Sequence, residues 1–231
     1  MITLNTKIED IVKIDDRLIN FFNDKRIDYC CNGYMSVEEV AKEKNIDAAK
    51  LINSIEDELN SLKTTEKVDE DISLDDFKNL SVEEMIESII KNHHEKEAEM
   101  LFYIDKLLNK ILKVHFEHHG EELLELHKLF GALKTELEEH FVKEEKITFP
   151  LMLENPNPSP EIKEKIHELE TDHEKAGDII KKMIDLTDGF TPPEDGCKTY
   201  EKTFKELDAL TKDIFVHIFK ENSILFLKYN K

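Results

Sequence analysis

From Leu80 onward, apolar residues recur every third or fourth position through four long stretches, the spacing that lines one face of an α-helix. No other feature constrains the fold as tightly, because a helix with one apolar face must bury it against another element. The first stretch opens at Ser81, with Glu84 completing a capping-box signature, and runs to about Val114. A histidine-rich break, His115 to Gly120, precedes a second stretch that reaches Phe149 before Pro150. The third has Ser159 as N-cap and Pro160 at its first helical position, and continues to about Asp188. A loop from Gly189 to Gly196, containing Pro192 and Pro193, leads to the fourth, which ends near Lys228. Four such helices with short connections predict an antiparallel four-helix bundle over residues 81–231. Six glycines, six prolines and no tryptophan in 231 residues fit a sandwich, barrel or Rossmann sheet poorly, so the expected class is all-α.

The first 62 residues read as a smaller helical domain. Ile8, Ile11, Val12 and Ile14 begin one helix, Leu18, Ile19, Phe21 and Phe22 mark a second, Ser36 and Glu39 form another capping box, and Ile46 to Leu62 reads as a further helix. Asp28-Tyr29-Cys30-Cys31-Asn32-Gly33 occupies the turn between its halves. Residues 63–80 are polar and acidic and are expected to be a linker. A formal charge of −20 disfavours nucleic acid and anionic lipid as partners. No run of about 18 apolar residues is present to span a bilayer. The start of the chain lacks a basic segment followed by an apolar one, and three cysteines, two of them adjacent, fit a secreted disulfide framework badly. A cytoplasmic protein with reduced thiols is the expectation.

Polar residues interrupt the apolar stripes. The second helix gives Leu126, Phe130, Leu133, Leu137, His140, Glu144 and Ile147 on one face. The fourth gives Leu207, Leu210, Ile214, His217, Glu221 and Ile224, repeating the His-x-x-x-Glu pair. The third carries His173 among Ile162, Ile166, Leu169, Ala176, Ile180 and Met183. In the first, Ile86, Ile90, His94, Ala98 and Leu101 align, but His93 fits a neighbouring stripe with Ile89 and Met100, so periodicity does not choose between the two histidines. An inward-facing carboxylate loses several kilocalories per mole of hydration unless paired or bound to metal, so two of them call for a cation.

The spacings from each turn put all four positions at a similar height in an antiparallel bundle. Imidazole with carboxylate suits iron or manganese, and the expected arrangement is two irons bridged by Glu144 and Glu221 and capped by the histidines. A single histidine on an apolar face is more often a hydrogen-bonded core residue. Two matching His-x-x-x-Glu pairs with a histidine on each remaining helix favour metal. Glu145 and Asp172 are candidates for holding the imidazoles in place. His115, His118, His119 and His127 read as solvated, and Cys197 carries no assigned chemistry.

These residues resemble a known pattern. The helical portion resembles the hemerythrin HHE bundles, and nearly the whole chain resembles the repair-of-iron-centres family, the di-iron proteins of ScdA and YtfE type. The matching segments are Asp28-Tyr29-Cys30-Cys31-Asn32-Gly33, Ile89-Ile90-Lys91-Asn92-His93-His94, His140-Phe141-Val142-Lys143-Glu144-Glu145 with Phe149-Pro150, Glu170-Thr171-Asp172-His173-Glu174-Lys175-Ala176-Gly177, Thr191-Pro192-Pro193 with Cys197, and His217-Ile218-Phe219-Lys220-Glu221-Asn222.

The resemblance implies His94 rather than His93 as the first-helix ligand, two non-haem irons, and bridging roles for Glu144 and Glu221. Gly177 stands where oxygen-carrying hemerythrins have a further histidine, and Leu225-Phe226-Leu227 departs from the expected Leu-Phe-Pro ending. The implied activity is repair of iron-sulfur clusters damaged by oxidative or nitrosative stress, by donating iron to client proteins. Reduction of nitric oxide, or a sensor or carrier role for nitric oxide or dioxygen, is the alternative. A homodimer is compatible with either. Cys30 and Cys31 read as a redox or metal-transfer pair, since a disulfide between neighbours is strained.

Overall fold

The serine and glutamate signals work locally as expected. Ser36 Oγ accepts from the Glu39 backbone N–H while the Glu39 carboxylate accepts from the Ser36 backbone N–H, starting helix α3 at Val37. Asp47 caps α4, and Ser159 caps the helix beginning at Pro160. The computed structural model describes residues 2–64 and 74–229, whose elements are all helices, with one isolated antiparallel bridge between Lys7 and Ser36. The chain is all-α. Glu66, Asp69, Glu70 and Asp71 of the expected linker lie outside the described residues.

By contacts the chain forms two units, Met1–Ser81 with Ile218–Leu227, and Val82–His217 with Lys228–Lys231. The first contains α1 (Ile8–Val12), α2 (Leu18–Asp24), α3 (Val37–Glu43), α4 (Ala48–Leu62) and α5 (Leu74–Asn79). Ile8, Val12, Leu18, Phe22, Val37 and Ile55 are fully buried there. Part of the stretch expected to be a linker is thus a helix. It buries Leu74 and Phe77, and the Leu74 backbone N–H donates to Asp16 at 3.0 Å.

Ile218–Leu227 belongs to this unit through specific packing. Phe219 stacks 5.9 Å from Tyr29, Lys220 lies 5.4 Å above the Phe77 ring, and Asn222 donates to the Cys30 carbonyl at 3.4 Å. Gly33 is required in the cysteine turn, because a Cβ would meet the Tyr29 carbonyl oxygen at 2.4 Å.

The second unit is built from four helical arms. The first two are α6 (Val82–Ile89), a π-helical turn (Ile90–His94), α7 (Glu95–Lys143), a second π-turn (Glu144–Thr148) and α8 (Phe149–Glu154). A straight α7 of 49 residues would be about 70 Å long. His94 nevertheless lies 2.9 Å from Glu145, so the chain doubles back, and it does so at His119, whose φ of −127° and ψ of 18° leave the helical region. The predicted histidine-rich break is therefore a single-residue reversal with helical neighbours. Pro150 does not stop the second arm: it stands in the first turn of α8, directly after the π-turn that changes the helical register.

The third arm is α9 (Pro160–Leu186), and the fourth is α10 (Lys198–Lys220), which continues into a third π-turn (Glu221–Leu225). Contacts from His94 to Glu145 and from His115 to Cys197 run the neighbouring arms antiparallel. The expected stripes of α9 and α10 are buried throughout, from Ile162 to Met183 and from Leu207 to Glu221.

Candidate metal centre

Each π-turn begins at or ends on an expected ligand, namely His94, Glu144 and Glu221. A π-turn inserts one extra residue into the helical register, so side chains beyond it face differently from what a regular period of 3.6 predicts. Three departures from the expected stripes follow. Ile147 is 49% exposed while Thr148 is buried, Ala98 is exposed while Glu97 is fully buried, and both His93 and His94 are buried. The choice between the two histidines disappears, because both turn inward and do different things.

His94 Nε2 lies 3.1 Å from Glu144 Oε2, and His140 Nε2 lies 3.2 Å from the same oxygen. His173 Nε2 sits 3.0 Å from His140 Nε2. The donor atoms of His94, Glu144, His217 and Glu221 all lie within 4.8 Å of one another, and so do those of His140, Glu144, His173 and Glu221. All six side chains are buried. Glu144 and Glu221 occur in both groups, the arrangement expected of shared carboxylates.

The donor set fits metal on its own geometry. Neighbouring ligands on a cation with bonds of about 2.1 Å stand about 3 Å apart, which is the spacing of these nitrogens and oxygens. Two imidazole nitrogens facing each other at 3.0 Å repel unless a proton or cation lies by them. His140 Nδ1, at the back of its ring, is buried with no hydrogen-bond partner, so that ring gains its polar contact only on the Nε2 side.

Carboxylates behind the rings aim them. His94 donates Nδ1–H to Glu145 at 2.9 Å, leaving Nε2 toward Glu144. His217 donates Nδ1–H to Glu97 at 3.1 Å, which turns its Nε2 toward the donor group of Glu144 and Glu221. Glu145 does what sequence position suggested. Asp172 does not: it accepts from Lys143 at 2.6 Å and Lys175 at 2.9 Å, which together outweigh its partial burial and lower its pKa.

Glu97 was missed, and its only signal is its place one helical turn after His93. Burial pushes its carboxyl up to about 7, against the lowering pull of His217. His93 is not part of either donor group that shares Glu144. It stacks on His217 with ring centroids 5.1 Å apart and donates Nδ1–H to Asp213 at 3.1 Å, while Lys96 donates to the other Asp213 oxygen at 2.7 Å. Burial would raise the Asp213 carboxyl, but His93 and then Lys96 outweigh it and hold it down to about 2.

In the other unit, Cys30 and Cys31 are free thiols with sulfurs 3.7 Å apart. Asp28 Oδ1 accepts from the backbone N–H groups of Cys30, Cys31 and Asn32, and with the two sulfurs it forms a third compact set of metal-type donors. Burial pushes the Cys30 thiol well above its ordinary value.

The chain was compared with known proteins. The hemerythrin HHE cation-binding domain family matches residues 85–229, and a domain of unknown function, the ScdA N-terminal domain, matches residues 4–59. An Enterobacter protein named iron-sulfur cluster repair protein YtfE is 29% identical over 87% of this chain and 85% of its own length. The iron-sulfur cluster repair protein ScdA of Staphylococcus haemolyticus is 28% identical over the full length of both chains. A probable iron-sulfur cluster repair protein of Haemophilus influenzae is 28% identical over 89% of this chain and 87% of its own.

Proposed function

Since the chain belongs to the hemerythrin HHE cation-binding family, we propose that it holds two iron ions and gives up iron to repair damaged iron-sulfur clusters in other proteins. The observation that carries this reading is the convergence of buried histidine and glutamate donors within 4.8 Å, in a chain whose relatives are named for cluster repair.

His94, His140, His173 and His217 would supply the imidazoles and Glu144 and Glu221 the shared carboxylates. Bound there, ferrous iron supplies redox chemistry and exchangeable coordination. The chain's part is positioning. Glu145 and Glu97 fix the ring orientations of His94 and His217, Phe141 stacks on His94 at 4.5 Å and excludes water from that face, and Lys143 and Lys175 keep Asp172 charged beside His173. Six protein donors shared between two ions leave each short of octahedral saturation, which favours release and admits small diatomics such as nitric oxide or dioxygen. Gly177, buried one turn after His173, adds no further donor. No helix among the described residues is long and apolar enough to cross a membrane, which supports a cytoplasmic place of work with client proteins there.

The test is to load the protein anaerobically with ferrous iron and establish the content by metal analysis and Mössbauer spectroscopy. It is then mixed with a protein whose [4Fe–4S] cluster has been damaged by peroxide. Recovery of the cluster matched by loss of iron from this chain is expected. Full iron retention beside a cluster that stays damaged would remove the donor role.

A further inference from the structure

His115 stands 21 residues after His94 in the sequence, about 30 Å of helix away from the metal centre. Its Nε2 lies 3.2 Å from the sulfur of Cys197, a residue 82 positions later. Cys197 immediately precedes α10, whose first-turn amides at Thr199 and Tyr200 help to lower its thiol pKa. An imidazole nitrogen therefore meets a sulfur that is exposed to solvent.

The surroundings hold this arrangement in place. The Tyr200 ring packs edge-on against both His115 and His119, with centroids 5.2 Å and 5.9 Å away, and its hydroxyl donates to Glu122 at 3.3 Å. His119, at the reversal of the chain, pairs with Asp195 at 2.8 Å, which ties the loop bearing Cys197 to the same corner. None of these residues belongs to the metal centre.

We propose that Cys197 and His115 form a thiol–imidazole pair that exchanges with low-molecular-weight disulfides, making Cys197 a reversible modification site outside the metal centre. In the exchange, the Cys197 thiolate attacks one sulfur of the disulfide along the S–S axis. A new S–S bond forms to Cys197 as the old one breaks, and the departing thiolate leaves with the electron pair of the broken bond. It takes up the proton that the Cys197 thiol gave up, by way of His115 Nε2, or one from water. Cys197 is oxidised, half of the disulfide is reduced, and a second thiol reverses the step.

Geometry also selects this cysteine over the others. Cys30 is buried and its thiol is held protonated by burial, whereas hydrogen bonding from His115 brings the Cys197 thiol down to about 7. Cys31 is half-buried beside Cys30.

The test treats full-length reduced protein with glutathione disulfide near pH 7 and locates the mixed disulfide by peptide mass mapping. The gain in thiolate, offset by its lower nucleophilicity, amounts to a rate roughly five to eight times that of an ordinary thiol. Cys197 is expected to react first, and at least twofold faster than the same residue in His115→Gln, which keeps the help of the Thr199 and Tyr200 amides and so loses only part of that advantage. Cys197→Ser is expected to abolish the fast adduct, and His118→Gln, an exposed neighbour, to leave it unchanged. Circular dichroism checks that His115→Gln is folded, and His115→Asn replaces it if it is not. A first adduct at Cys30 or Cys31, or an unchanged Cys197 rate in the folded His115 variant, overturns the proposal.

Discussion

Histidines crowd two regions of the Val82–His217 unit, and their neighbours could hardly differ more. Around Glu144, four histidines are no more than 3% exposed and their nitrogens face carboxylates that are fully buried. Around the reversal at His119, His115 and His119 are partly open to water and pair with Cys197 and Asp195, both exposed. Residue type is shared, so burial makes the difference. A carboxylate deprived of water needs a counter-charge or a proton, whereas one at the surface is solvated and gains little from its partner.

The sharpest way to break this contrast is Glu144→Leu. It removes one of the two carboxylates common to both donor groups without removing apolar packing, so iron binding is expected to weaken at least tenfold while helical content persists. Metal analysis beside circular dichroism checks this, and near-normal iron would take Glu144 out of the centre.

Next in size is Glu97→Gln. The amide oxygen still accepts from His217 but carries no charge, so iron affinity is expected to fall about tenfold, readable as faster loss to a chelator. An unchanged rate would mean that His217 needs no help in facing inward.

Asp213→Asn probes the same end through stability. The native carboxyl is held down to about 2 from an ordinary 3.8, so its contribution of roughly 2 kcal/mol is complete above the unfolded value and is lost as pH falls from about 4 toward 2. Urea unfolding should show the variant less stable at neutral pH, with the gap closing in acid. A gap independent of pH would assign the loss to packing.

The smallest effect belongs to the other region. His119→Gln breaks an ion pair with an Asp195 that is 60% exposed, and should leave the urea midpoint close to that of the parent protein. A loss as large as that of Asp213→Asn would erase the distinction between the two regions.

Much of the candidate site is readable from local order. His140 and His217 lie on α-helix that stays regular up to Glu144 and Glu221, the first residues of their π-turns, and His173 lies on an α9 that is regular from Pro160 to Leu186, so a 3.6-residue period projects them correctly. Projection fails at the first two π-turns, which it does not foresee, while Ile224 in the third is buried as expected. Ala98 and Ile147 were placed inward, and Glu97 and Thr148 took those places. The solvated reading of the break lacked the partners: His115 meets a residue 82 positions away, and no periodicity within one helix reports on that.

By itself, then, the order of amino acids determined the helices, their caps and the donor chemistry, because these depend on neighbours within a turn or so along the chain. Tertiary structure decided what those neighbours cannot encode. It put the reversal at His119, turned both His93 and His94 inward with separate partners, set Glu97 behind His217, and packed Ile218–Leu227 with the first unit. The reason is energetic. A π-turn has poorer hydrogen-bond geometry than an α-turn, and it persists where bringing a particular imidazole or carboxylate inward outweighs that cost. Which side chain has a partner waiting is known only once the arms have come together.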